Sequence, residues 1–318
     1  MIRNLGLDLV RATEAAAIAA GRWMGVGKRD EADEAATEAM YTAFSDIDLN
    51  GYIVVGEAAK LGHPSPLDLG QHVGSGTGTE VDVVIDPIDG RNLLAQGRPG
   101  ALAVAAVAPR GTLWSPGPAI YMDKIVVNRE VASALVPECM DAPAAWTLAL
   151  VARVKRKQIR DLVVFVLDRP RHVDLVEEIR MAGARVMLSD DGDIAGAIMA
   201  ALGGGRVDVL LGIGGVAEGV ITACAVRALG GAMLGRLAPQ SARERAAIEQ
   251  AGLNTNTILT SSELAASNQI FFAATGITDG PLLAGVRYQG ERAETNSLVL
   301  RSSTGTRRFI QAEHMVGR

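Results

Sequence analysis

Val83-Val84-Ile85-Asp86-Pro87-Ile88-Asp89-Gly90 is the stretch on which the reading of this chain turns. Three apolar residues form a strand, and two carboxylates three residues apart follow at its end. Acids so placed can converge on one hard cation. Pro87 sets a turn and gives up an N–H, while Gly90 lets backbone approach a ligand closely. Oxygen-only ligands favour Mg²⁺ or Mn²⁺ over Zn²⁺.

Working outward, strands are expected over 81–85 and 101–107 on either side of the Asp-Pro turn, and over 52–55, ending at Gly56-Glu57. A helix is expected over 5–23, because Leu5, Leu9, Ala12, Ala16, Ala20 and Trp23 share one stripe. A second covers 35–44, approached through the polar Lys28-Arg29-Asp30-Glu31. Gly, Pro and Ser over 61–79 read as a surface loop. Its Gly74-Ser75-Gly76-Thr77-Gly78 lacks the Lys-Ser/Thr ending of a phosphate-binding loop.

Farther on, strands at 162–167, 184–188 and 207–211 alternate with helices at 172–182, 194–201 and 219–229. That alternation implies an α/β fold with a mostly parallel sheet covered on both faces. Later strands fall at 271–274 and 297–301, and the boundary between two lobes is expected near 145–161.

Bulk properties narrow the function. A chain of 318 residues buries a full core, and a net charge of −5 offers no broad basic surface for nucleic acid. No apolar run is long enough to span a bilayer, and the N-terminal segment carries charges where a signal peptide needs an apolar core. Cys139 and Cys224 are far apart and read as buried thiols in a reducing cytoplasm. His63, His72 and His314 have no companions that suggest a metal triad.

Five acids stand where strands or helices meet turns: Asp33, Glu57, Asp86, Asp89 and Glu218. Any one alone suits a solvated surface or a helix cap. Together they are about the number that two divalent ions bridging a phosphate would need, with the ions polarising the phosphoryl group and sharpening an attacking water.

The Asp86 segment resembles the Asp-Pro-(Ile/Leu)-(Asp/Glu)-Gly-(Ser/Thr) signature of lithium-sensitive, metal-dependent phosphate-monoester phosphatases. Over nearly its whole length the chain resembles class II fructose-1,6-bisphosphatases. The matching stretches are Arg11-Ala12-Thr13-Glu14, Gly21-Arg22-Trp23, Ala32-Asp33, Val54-Val55-Gly56-Glu57 and the Asp86 turn. Tyr121-Met122-Asp123-Lys124, Asp168-Arg169-Pro170-Arg171-His172 and Asp191-Gly192-Asp193 follow in order. Gly212-Ile213-Gly214-Gly215, Glu218-Gly219 and Ala274-Thr275-Gly276-Ile277-Thr278 complete them.

The resemblance implies a layered, inositol-monophosphatase-like sugar-phosphatase fold in two lobes. Residues 1–150 would form a metal-binding lobe and 151–318 an α/β lobe for the sugar phosphate. It also implies cleavage of the 1-phosphate of fructose 1,6-bisphosphate with Mg²⁺ or Mn²⁺, in a cytoplasmic homo-oligomer, a dimer or tetramer. Carried over by motif, Asp33 and Glu57 hold one metal, and Asp86, Asp89 and Glu218 a second. Tyr121, Arg169, Pro170, Arg171, Asp191, Gly192, Asp193 and Gly215 line the sugar-phosphate site. Outside that resemblance, Arg169 and Arg171 also suit surface charges at a strand-to-helix turn, and Tyr121 a half-buried core aromatic.

Departures from the family gather near the chemistry. The catalytic positions around Asp86 and Asp89 carry Arg91 in place of the family's hydroxyl, and a guanidinium cannot accept a proton from water. Ala59 and Leu61 stand where the family has acids, and Lys28-Arg29 replace an Asp-Lys pair. These changes leave the metal ligands but remove groups suited to proton transfer. Three readings follow: a metal-dependent sugar-bisphosphate phosphatase, an impaired paralogue that binds a phosphorylated sugar or joins an active partner, or a phosphatase retargeted to another phosphorylated metabolite through the altered loop over 58–79.

Overall fold

A computed structural model describes residues 5–56 and 64–317. The chain divides into two compact units, one formed by Met1–Trp114 with Ser267–Arg318 and the other by Ser115–Ala266. The expected lobe boundary at 145–161 falls inside the second unit.

The first unit begins with α1 (Gly6–Gly21) and α2 (Arg29–Ser45). Leu5, Leu9, Ala12, Ala16 and Ala20 are buried as their spacing predicts, with Trp23 partly buried beside them. α2 starts at Arg29 rather than 35, so the polar stretch is its first turn, where Asp30 and Glu31 complement the helix dipole. There follow β1 (Leu49–Val55), β2 (His72–Val73), β3 (Thr79–Asp89), α3 (Arg91–Ala95) and β4 (Leu102–Pro109).

The second unit contributes β5 (Tyr121–Val127), α4 (Ala144–Lys155), β6 (Val163–Leu167), α5 (Val173–Met181), β7 (Arg185–Ser189) and α6 (Ile194–Leu202). It continues through β8 (Val209–Gly215), α7 (Val216–Leu229), β9 (Ala232–Leu237), α8 (Ala242–Gln250), β10 (Ile258–Thr260) and α9 (Ser261–Leu264). The chain then returns to the first unit with β11 (Phe271–Gly276), β12 (Arg287–Gln289), β13 (Arg292–Arg301) and β14 (Thr306–Met315).

In the first unit the described strands form one sheet in the order β12-β13-β11-β4-β3-β1-β2, with β14 also on β13. Only β1 and β3 pair in parallel; the other pairings are antiparallel. α1 and α2 pack with the sheet around a core that includes Phe44, Ile53, Val83, Ile85, Ile88 and Phe271. The fold is thus mixed α/β, as expected, and its sheet is closed by strands from the far end of the sequence.

The Asp-Pro segment is not a turn after a strand. β3 runs on through it, and the register steps from Asp86 opposite Val104 to Asp89 opposite Leu102, so one extra residue is accommodated as a β-bulge. Pro87 suits a bulge because it has no N–H to leave unpaired. The turn follows at Gly90, whose φ of +88° lies in the left-handed region and starts α3.

The second unit's sheet has the order β10-β9-β5-β8-β6-β7. The expected mostly parallel pairing needs correction. β6 pairs in parallel with β7 and β8, but β5 is antiparallel to β8 and β9, and β10 to β9. The sequence alternation implied the direction shared by β6, β7 and β8; it did not reveal β5, which is slotted between β8 and β9. On one face Ile125, Val164, Val166 and Leu211 pack with Leu148, Val151 and Ile179 of α4 and α5. α6 and α7 are packed on strands of the same sheet, where Gly196 lies against the Phe165 ring. Cys139 and Cys224 are both buried and outside any disulfide, and among the described residues no helix is long and apolar enough to cross a membrane.

Candidate active site

The bulge in β3 decides where the carboxylates point. In a regular strand, residues three apart face opposite sides. One extra residue cancels that: Ile85 and Ile88 enter the same apolar core, and Asp86 and Asp89 therefore share the other face. Both acids are buried, at 2% and 3% exposed. Asp86 Oδ1 accepts the Ile88 N–H at 3.1 Å, which fixes its carboxylate within the bulge. A buried, same-side pair of carboxylates is a donor set that fits a hard divalent cation.

Asp33 projects from the buried face of α2 and is 2% exposed. Its Oδ2 forms an ion pair with Arg91 Nη2, which donates a hydrogen bond to Asp30 Oδ1 at 3.3 Å. The backbone is arranged for this. Gly25 and Gly27 N–H groups donate to Leu94 and Ala95 carbonyls, tying the α1–α2 connection to α3. Arg91, expected near the chemistry, is thus bound to one of the expected metal ligands. Glu57, Ala59 and Leu61 lie outside the described residues.

In the second unit, the expected sugar-phosphate residues gather at one end of the sheet. Tyr121 opens β5 opposite Gly215, the last residue of β8. Arg169, Pro170 and Arg171 follow the end of β6, and Asp191, Gly192 and Asp193 follow the end of β7. Arg171 donates Nε and Nη2 to the Ile213 carbonyl at 3.2 and 2.8 Å, with its guanidinium 5.2 Å from the Tyr121 ring centre. Partial burial lowers its pKa from the ordinary arginine value. Arg169 grips the opposite loop, donating to the Asp190 carbonyl and, at 2.9 Å, to Asp191 Oδ1. A cavity of about 480 Å³ opens beside Arg169 and His172, bounded by Val173, Val176, Arg180 and Leu188. Glu218 stands in the first turn of α7.

The glycines of β8 are explained by what lies against them. A Cβ on Gly214 would meet Asp193 Oδ2 at 1.8 Å, and one on Gly215 would meet Glu218 Oε2 at 1.7 Å. Neither acid can adopt its position beside a larger residue.

Three buried residues that position this cluster were not among the sequence candidates. Lys124, 1% exposed, donates to Asp193 Oδ2 and to the Gly215 carbonyl at 3.2 Å. Burial raises the Asp193 pKa, and Lys124 opposes that. His172 joins two strands: Nδ1 meets the Leu167 carbonyl at 2.7 Å and Nε2 accepts the Ile213 N–H at 2.8 Å. That pattern fixes a neutral ring protonated at Nδ1, and burial lowers its pKa from 6.5. Glu244 Oε1 accepts the Ile120 and Tyr121 N–H groups at 2.8 and 3.0 Å. Lys124 and His172 stood in the quoted motifs, and Ser241-Ala242-Arg243-Glu244 carries the spacing of a capping box; those were the available signals.

Comparison with known proteins identifies the family. The family model described as bacterial fructose-1,6-bisphosphatase, glpX-encoded, matches residues 3–314. A D-fructose 1,6-bisphosphatase class 2/sedoheptulose 1,7-bisphosphatase from Synechococcus sp. (strain JA-3-3Ab) is 38% identical, covering 99% of this chain and 96% of the relative. The protein of the same description from Trichodesmium erythraeum (strain IMS101) is 37% identical over 98% and 96%. None of these comparisons supports the alternative of an impaired paralogue. With a match that runs almost from end to end, the chain belongs to the glpX-encoded family of bacterial fructose-1,6-bisphosphatases, which are phosphatases.

Proposed function

We propose that this protein hydrolyses the 1-phosphate of fructose 1,6-bisphosphate in a reaction that requires Mg²⁺ or Mn²⁺. The observation that carries the reading is the β3 bulge, which turns two buried carboxylates, Asp86 and Asp89, to one side. The reading adds Glu218 to these as a further ligand. When bound, the ion supplies polarisation of the phosphoryl oxygens and a more acidic attacking water.

The chain's own groups bind and orient the substrate. Arg171 keeps a fixed direction because Ile213 takes two of its N–H groups, leaving other donors of the fork for a phosphate. Tyr121 and the Gly215 backbone border that position, and Arg169 sets the loop bearing Asp191 to Asp193. Lys124 holds Asp193 Oδ2 and so fixes the end of the loop that follows β7. Arg91 takes no proton from water; it acts as a positioning charge on Asp33.

Phosphate release from fructose 1,6-bisphosphate, measured with Mg²⁺ and then Mn²⁺, tests the reading. Release should need the metal and fall at least about 10²-fold in Asp86→Ala, the scale expected when a centre that stabilises developing charge is lost. Metal-independent release, or equal rates in Asp86→Ala, would refute it. Sedoheptulose 1,7-bisphosphate belongs in the same assay because the relatives carry both names.

A further inference from the structure

We infer that Arg91 supplies, from within the chain, the positive charge at Asp33 that a divalent ion would otherwise supply, so that this protein holds one metal ion fewer than its carboxylates imply. The inference rests on the reading of Asp33 as a carboxylate of the metal centre.

Asp33 is buried on α2 and, as an anion, requires a cation or several donors beside it. The Arg91 guanidinium meets its Oδ2 and spans to Asp30. Asp30 and Asp33 are three apart on α2 and so lie on neighbouring positions of its surface. Arg91 is short-tethered: it begins α3 directly after Gly90 and two residues after Asp89. The hydrogen bonds from Gly25 and Gly27 hold α3 against the approach to α2.

The charge surroundings point the same way. Lys28 pairs with Glu31 at 3.3 Å and Arg29 approaches Asp30 at 3.5 Å, so the two cations at the start of α2 are engaged with acids other than Asp33, and it is Arg91 that meets Asp33. An arginine stays protonated under all working conditions. A divalent ion arriving at Asp33 must therefore displace a tethered permanent charge or sit beside it, and repulsion between like charges is strong where water is partly excluded. Arg91 is only 16% exposed, which keeps that repulsion poorly screened. Asp86 and Asp89, which share one side of β3, are the carboxylates this reading assigns to an ion.

The test counts ions. Metal-stripped protein is dialysed to equilibrium against Mn²⁺, and bound Mn²⁺ per chain is measured by elemental analysis. Arg91→Thr should bind one more ion than the native protein, and Asp33→Asn placed on Arg91→Thr should lose that gain. Asp33→Asn with Arg91 intact should leave the native count unchanged. Equal counts in native protein and folded Arg91→Thr would overturn the inference. Loss of an ion in Asp33→Asn alone would overturn it as well, and this arm decides if Arg91→Thr does not fold. Native protein that releases no phosphate yet shows the Arg91→Thr gain would refute the phosphatase reading and leave this inference standing.

Discussion

At the residue scale, the site is built from side chains that depend on one another across long sequence distances. Lys124 and Asp193 are 69 residues apart, and each is buried chiefly against the other. Lys124→Met should leave Asp193 without its counter-charge at a cost of about 3–5 kcal/mol, read as a lower urea midpoint at neutral pH. An unchanged midpoint would show the pair to be dispensable. The carboxylates at Asp86 and Asp89 were legible in the sequence because their type and spacing at a strand end already limit what they can do. Lys124, His172 and Glu244 were not legible as site residues, since their roles come from the strand or loop that the fold lays beside them. Arg91 was legible as a departure, but its partner on α2 became visible only in three dimensions.

At the element scale, α1 is legible because its apolar stripe repeats locally, whereas α4 and α8 are not among the expected helices. The strand bearing Asp86 was read too short: a proline and a glycine in sequence resemble a turn, whereas here they mark a bulge followed by a left-handed residue. β5 was missed because Asp123 and Lys124 interrupt its apolar pattern, and both are buried or partly buried through ionic partners. β6 illustrates how an ion pair fixes an element. Burial pushes the Asp208 pKa up, but hydrogen bonds from Lys155, Lys157 and the Val163 N–H outweigh it and hold the carboxyl below its ordinary 3.8. A carboxylate with a depressed pKa contributes stability that is present above 3.8 and lost as pH falls through its folded value. Asp208→Asn should therefore lose about 3–5 kcal/mol at pH 7, with the gap from native protein closing in acid. A gap independent of pH in denaturant melts would contradict this.

At the scale of the whole molecule, the chain leaves its first unit after Trp114 and returns at Ser267. That return was not legible from local pattern, because β4 completes its pairing with β11, more than 160 residues later. The late strands at 271–274 and 297–301 were recognised, but nothing in their composition says which sheet receives them. What the sequence carried most directly was the order of motifs along the chain, and the structure gives three of them a local reason: a bulge at Asp86, a glycine cleared for a carboxylate at Gly214, and His172 joining two strands. The proposed reaction depends on metal and removes one defined phosphate. Following fructose 1,6-bisphosphate by ³¹P NMR with Mn²⁺-loaded protein, after the paramagnetic ion is removed from quenched samples, tests it most directly. The C1 phosphate signal should disappear with the C6 signal kept, and Asp86→Ala should leave both in place over the same time; loss of the C6 phosphate, or no loss from folded, metal-bound protein, would refute the proposed reaction.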